Sequence, residues 1–336
     1  MTTGYGSEEP SEDGMIVAGN ATYLKAAAQP YPLTRPERIL KVPVHEQASF
    51  APTDEDRLLH FRTSNHFELL FRSAIETAAI DLEDSPRILV VGAGTGADAV
   101  FLCLRLFRGA EIVATESSEA NLRTLRGHII ASDIEGRVTT LKSDIEALRV
   151  EQGTFDLVVG VSFLHWMMDP DRGLAFAARA FKTGGYAMFM EPFEGYGPMR
   201  LAFERICAEA DLRKTPLPSG VRIALQASTA DIAARTAPDP KAPHFAGMDQ
   251  KWLFSREAIA LAARNVGFDE SHFCSHHDHS SFYRDMAAVM LGSLNDQLPG
   301  WAADILSDFD RALPPSVKRL LVVEGSIILR RGSIAH

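Results

Sequence analysis

The chain has 336 residues, 46% of them apolar, with a formal net charge of −10 and three cysteines. That is enough for one α/β domain with elaborations or one domain plus a small second one, and enough apolar material for a sizeable core. The acid excess, without any lysine or arginine cluster, argues against nucleic-acid binding as the main task; no apolar run approaches the roughly 18 residues of a spanning helix, which argues against a membrane protein.

Cys103, Cys207 and Cys274 are odd in number and far apart, which fits a reducing cytoplasm better than a disulfide framework. The opening MTTGYGSEEPSEDG lacks the basic-then-apolar plan of a secretory signal and reads as a disordered tail. Pro30, Pro32, Pro36, Pro43 and Pro52 forbid one long helix before residue 54, so residues 1–54 are a tail followed by an ordered extension or a mobile linker. Leu58, Leu59, Phe61, Phe67, Leu70, Phe71 and Ile75 recur at near-helical spacing, which predicts a helical segment over 55–80. Residues 81–336 are then the core.

That core is organised around RILVVGAGTGADAVFLCLRLFRG, Arg87 to Gly109. Ile88 to Val91 form a short apolar, β-branched run, as in a strand covered on both faces. Gly92, Gly94 and Gly96 remove side chains where the backbone must turn and let a ligand approach, and a helix from Ala97 to Phe107 is stopped by Gly109. The free amides at that helix start favour a negative or carbonyl-rich group above the glycines.

Strand and helix signals then alternate. Strands are predicted over 111–115, 138–141, 155–161 and 186–190, ending at Glu116, at Lys142-Ser143-Asp144, at Ser162 to Trp166 and at Glu191-Pro192. Ser117-Ser118 caps the helix to about Ile130, and another helix runs from Gly173 to Phe181. This alternation predicts a parallel sheet with helices on both faces. Beyond it come a helix over 198–211, an irregular stretch over 213–250 with one helix from Ser219 to Ala234, a Ser255-capped helix to Val266, a strand through Phe273, a helical insertion from Ser281 to about Leu313 and a last strand over 326–330. The two insertions, about 197–250 and 281–316, are longer than ordinary connections and read as lids.

The glycines alone are ambiguous, because Gly92-Ala93-Gly94-Thr95-Gly96-Ala97 also fits the dinucleotide pattern, with Glu116 at the distance of a ribose-binding acid. The series VVGAGTG, VATE, LKSD, FDLVVGVSFLHW and FKTGGYAMFMEP, with a final helix, strand, insertion, strand unit, resembles the class I S-adenosylmethionine-dependent methyltransferases over roughly Asp81 to Arg331. The resemblance implies a Rossmann-like seven-stranded sheet with an antiparallel last strand, and S-adenosylmethionine as cofactor. It further implies that Gly92, Ala93, Gly94 and Gly96 cradle the methionine part and that Glu116, beside Ser117, takes both ribose hydroxyls. Asp144 would accept from the adenine amino group, Ile145 flank the ring, and Ser162 lie beneath the methionine end. Many members carry an acid near the end of the first strand, where this chain has Val90 and Val91.

Methyl transfer from a sulfonium is an in-line displacement by an activated donor, so alignment is the main requirement and a base is needed only for an acceptor with a tightly held proton. His165, just after the fourth strand, and His277 are the candidate bases. Trp166 with Met167 and Met168 offers an apolar wall, while Glu191, Tyr196 and His279 are candidate acceptor contacts. In HFCSHHDHSSF a strand would point His272, Cys274 and His276 to one face and His277 and His279 to the other, and its end should open on the cofactor crevice. The spacing matches no standard metal motif, and no metal is assigned. Tyr196, Phe245, Trp252, Phe282, Tyr283 and Trp301 are available to line an enclosed pocket for a small, partly apolar acceptor. A nicotinamide-dependent oxidoreductase is the runner-up, but it lacks a Tyr-x-x-x-Lys pair; a non-catalytic or non-methylating cofactor-binding protein is the third reading.

Overall fold

Ile88, Leu89, Val90 and Val91 are all buried, and their side chains alternate between two separate cores, as a strand covered on both faces requires. They belong to β1 (Arg87–Val91) of a computed structural model that describes residues 15–16, 68–96, 99–143, 145, 148–236, 238–248, 250–276, 282–318 and 320–332. The residues expected to form the tail, the proline-bearing extension and the first part of the 55–80 helix lie outside the described residues, apart from a two-residue pairing of Met15–Ile16 with Arg149–Val150. Helix α1 (Glu68–Thr77) is the described part of that segment.

The other sheet strands are β2 (Glu111–Glu116), β3 (Val138–Lys142), β4 (Phe155–Val161), β5 (Phe181–Pro192), β6 (Glu270–Ser275) and β7 (Glu324–Arg330). They lie side by side in the order β3-β2-β1-β4-β5-β7-β6. Pairings from β3 to β5 are parallel, and β7 runs antiparallel to both neighbours. This is the Rossmann-like sheet with an antiparallel last strand that the motif series implied. The order reverses between β1 and β4, where a crevice opens at the carboxyl ends of the strands.

One face packs α1, α2 (Val100–Leu106) and α3 (Glu119–Ala131), through residues such as Phe71, Leu102 and Leu125. The other packs α4 (Pro170–Ala180) and α7 (Arg256–Asn265), through Leu174, Ala177 and Ile259. Asp169 caps α4 by accepting from Asp171 N–H, Ser118 caps α3 and Ser255 caps α7, each supplying an oxygen to an otherwise unpaired helical amide. Helix α2 starts at Val100, later than predicted, with no side-chain cap at Ala99. Strand β5 is longer than its predicted core because it runs through Gly184-Gly185, where Gly184 holds a φ of 81°.

The two insertions form one helical layer of their own. Helices α5 (Tyr196–Leu212), α6 (Ser219–Thr236), α8 (Phe282–Leu291) and α9 (Gly300–Ala312) share a core that includes Phe203, Leu225, Phe282, Met286 and Leu306. No helix among the described residues is long and apolar enough to cross a membrane.

Gly109 ends the turn after α2 at a φ of 72°, and a Cβ there would stand 2.6 Å from the Asp84 carbonyl oxygen. Gly109→Ala should therefore lose roughly 1–3 kcal/mol of stability through a strained backbone and a displaced loop, read as a lower midpoint in chemical denaturation.

Candidate active site

The crevice over the glycines is a cleft of about 650 Å³. Gly92, Ala93, Gly94, Glu116, Ser117, Ile145, Ser162 and Trp166, all expected at the site, line it. Gly92 and Gly94 hold φ values of 62° and 54°, which L side chains rarely adopt, and a Cβ on Gly94 would meet nothing within 4 Å. The backbone itself is thus the surface. Gly96 does not line the cleft; at a φ of 89° its N–H closes the turn onto the Ala93 carbonyl at 2.8 Å. Asp144 lies outside the described residues, between the lining residues Ser143 and Ile145.

Glu116 is 7% exposed at the end of β2. Its Oε2 accepts Gly94 N–H and its Oε1 accepts Ser118 N–H, both at 2.8 Å. One lone pair on each oxygen remains for a pair of neighbouring hydroxyls. Val90 and Val91, where an acid is common in the family resembled, are sealed in the core, with Thr115 Oγ1 donating to the Val90 carbonyl at 3.3 Å. Sequence reasoning did not single out Phe163, whose ring lines the cleft and would stand 2.7 Å from a Cβ on Gly92.

A second cavity of about 390 Å³ adjoins the first, and Val161, Ser162 and Trp166 line both. Ser162 adopts a φ of 51°, rare for a residue with a side chain, and donates its N–H to the Met190 carbonyl at 2.9 Å, so the partition between the cavities is pinned to β5. Of the acceptor-side candidates, His165, Trp166, Glu191 and Tyr196 line this second cavity. His277 and His279 lie outside the described residues; the histidine of that run placed here is His276, whose Nε2 is 2.7 Å from Ser326 Oγ.

Glu191 is 2% exposed and accepts four hydrogen bonds. Oε1 takes Phe163 N–H at 3.0 Å and Leu164 N–H at 2.7 Å; Oε2 takes His165 N–H at 3.2 Å and His165 Nδ1 at 2.7 Å. A carboxylate offers only acceptors, so Nδ1 carries a proton, and in the neutral imidazole it is Nε2 that keeps the lone pair. The 3₁₀ turn Leu164–Trp166 that begins here exposes Trp166 and Met168 to the cleft while His165 turns inward.

The remaining wall comes from sequence-distant segments. Residues 250–254 strap the site together: Lys251 N–H donates to the His165 carbonyl at 2.8 Å, Trp252 Nε1 to the Met167 carbonyl at 2.8 Å, Leu253 N–H to the Arg235 carbonyl at 3.0 Å and Phe254 N–H to the Pro192 carbonyl at 3.0 Å. Arg235, Gln250 and Glu324, none of them singled out from the sequence, join the lining. Tyr196 OH donates to Glu324 Oε1 at 3.1 Å; burial, with the Glu324 charge beside it, pushes the phenol pKa up, so it is a donor and not a base. Of the aromatic residues expected to line the pocket, Tyr196 borders this cavity and the other five do not. Phe245 packs edge-on against Trp252, Phe282 and Tyr283 belong to the helical-layer core, and Trp301 lies against that core under the Arg213 guanidinium.

Residues 89–189 match the family model for a methyltransferase domain. This match agrees with the class I S-adenosylmethionine-dependent methyltransferase fold that the motif series implied and that the strand order and glycine-lined crevice display. Among curated proteins, the chain is 28% identical over 166 residues to the ubiquinone/menaquinone biosynthesis C-methyltransferase UbiE of Geobacter sulfurreducens, covering 49% of this chain and 62% of that one. It is 35% identical over 121 residues to the malonyl-[acyl-carrier protein] O-methyltransferase of the same organism, covering 36% and 41%. The matches thus span less than two thirds of either relative. The solved geranyl diphosphate C-methyltransferase of Streptomyces coelicolor aligns over 79% of this chain and 77% of that one, at 10% identity and a TM-score of 0.47. S-Adenosylmethionine is the cofactor of the methyltransferase domain, and the side-chain-free glycine surface with a two-oxygen acid beside it fits a nucleoside carrying an amino-acid chain.

Glu191→Gln replaces one acceptor oxygen by an NH₂ group. The mutant can keep the bonds to Phe163 and Leu164 only by facing NH₂ towards His165, which strands the His165 backbone N–H and moves the ring proton to Nε2. The expected loss is about 1–3 kcal/mol in denaturant melts, and ¹⁵N spectra of the ring should report the exchanged tautomer.

Proposed function

We propose that this chain is an S-adenosylmethionine-dependent methyltransferase acting on a small molecule held in the second cavity. The observation that carries the proposal is the shared wall: Val161, Ser162 and Trp166 border both cavities, so a donor in one and an acceptor in the other meet there. In this reading Gly92, Ala93 and Gly94 receive the methionine chain, Glu116 with Ser117 the ribose, Ile145 the adenine face, and Asp144 the adenine amino group; Gly96 shapes the turn. The bound cofactor supplies an electrophilic methyl group on a sulfonium.

The protein's own part is alignment and proton handling. Trp166, 48% exposed at the cleft, covers the transfer point from the solvent side. The Glu191 carboxylate holds His165 Nδ1–H, so that Nε2 is the nitrogen free to take a proton from the acceptor as its oxygen or nitrogen attacks. Glu191 then faces the imidazolium so formed and stabilises it. An acceptor whose attacking atom bears a proton gains most from this dyad. His277 and His279, proposed as a base and an acceptor contact from the strand end, stand as candidates beside His276.

Calorimetric titration with S-adenosylhomocysteine and with NADH separates the methyltransferase from the oxidoreductase reading: the first should bind and the second should not. Gly94→Ala, with no protein atom to clash, should still fold but weaken S-adenosylhomocysteine by at least about tenfold by placing a methyl in the cleft. His165→Ala should retain S-adenosylhomocysteine affinity while turnover of a protonated acceptor, followed as S-adenosylhomocysteine release, falls by about 10²-fold or more. Undiminished turnover would remove His165 from proton transfer.

A further inference from the structure

We propose that the acceptor cavity is built for a molecule carrying a carboxylate, and that Arg235 is the residue that holds it. This deepens the methyltransferase reading and rests on it. Helix α6 delivers Arg235 at its carboxyl-terminal end into the cavity wall, where the residue is only 6% exposed. A guanidinium has five N–H donors and no acceptor. Nη1 donates to Asp231 Oδ2 at 3.1 Å and Nη2 to the Trp252 carbonyl at a long 3.4 Å, while Nε is buried with no acceptor among the described residues. The partner Asp231, one turn earlier, has a side chain 54% exposed, so water screens most of its charge. A buried cation is thus left with donor capacity that the fold does not use, in a wall of the cavity that adjoins the methyl-transfer point, and leaving such a donor unmatched is costly.

The other charges in the same wall favour a singly charged partner. Glu191 has its oxygens engaged by four donors, and Glu324 is exposed at the rim with the Tyr196 hydroxyl on it. Their two negative charges oppose a dianion such as a phosphate more strongly than a carboxylate. The planar edge of a guanidinium also matches the two in-plane oxygens of a carboxylate. Anchored there, the acceptor would present its other end to Ser162 and His165.

The test uses the full chain saturated with S-adenosylhomocysteine and titrated with three probes of one shape: 4-hydroxyphenylacetate, 4-hydroxyphenylacetamide and 4-hydroxyphenyl phosphate. The acid is expected to bind at least tenfold more tightly than the amide and more tightly than the phosphate ester. In Arg235→Gln the preference for acid over amide should shrink to within threefold, with S-adenosylhomocysteine affinity within twofold of the parent. Arg235→Lys, which keeps the charge without the fork, should retain a reduced preference and serves where the glutamine variant fails to fold. Equal affinity for acid and amide, no binding of either, a phosphate ester that outranks the acid, or an acid preference that survives Arg235→Gln would each overturn the assignment. Failure of the parent chain to bind S-adenosylhomocysteine would instead overturn the methyltransferase reading, so the two failures are told apart.

Discussion

The buried carboxylate of Glu191 ties together the part of the molecule where chemistry is expected. It sits at the end of β5 and draws three consecutive backbone amides, Phe163, Leu164 and His165, together with one ring nitrogen, out of the segment that leaves β4. A carboxylate at 2% exposure is tolerable only because every bond it makes is a donor turned towards it. The reciprocal effect is that the chain after β4 has one conformation open to it: the 3₁₀ turn, the inward imidazole and the outward Trp166 follow from where those amides must point. Ser162, one residue earlier, is pinned to the Met190 carbonyl at a φ of 51°, so the wall between the two cavities inherits its position from the same strand end.

The larger cleft was largely legible in the sequence because its determinants are local. A buried β-branched run, three glycines, and acids at successive strand ends each announce themselves within a few residues, and a parallel sheet brings successive strand ends to one edge without further information. Even there the pattern overreached at Gly96, which serves the turn and not the lining. The second cavity was less legible. Tyr196, Glu191 and His165 were visible as polar residues near strand ends, but Arg235, Gln250 and Glu324 reach the cavity through tertiary docking of α6, the 250–254 strap and β7, which no short spacing encodes. Tyr196 apart, the aromatic residues expected to line the pocket pack elsewhere, and for Phe282 and Tyr283 the reason is simple. Two helical insertions packed against each other need an apolar core of their own, and Phe282 and Tyr283 supply it.

The histidine run is described as far as His276. The strand containing His272 and Cys274 ends at Ser275, and the next residue, His276, donates its backbone N–H to the Glu324 carbonyl at 3.0 Å while its ring meets Ser326. Among the described residues of the run, His276 lines the cavity. Among the described residues no cluster of three histidine, cysteine or acidic side chains is arranged to hold a metal ion.

The two cavities differ in how their walls are distributed along the chain. Everything described around the larger cleft falls between Gly92 and Met168, a near-contiguous stretch that overlaps the methyltransferase domain, whereas the smaller cavity is closed by residues as far apart as Val161 and Glu324. Remodelling the helical layer, by inserting a turn in α6 or exchanging the strap, would redraw the second chamber and leave the first intact. A molecule partitioned in this way can reshape one chamber over evolutionary time while the walls of the other stay as they are.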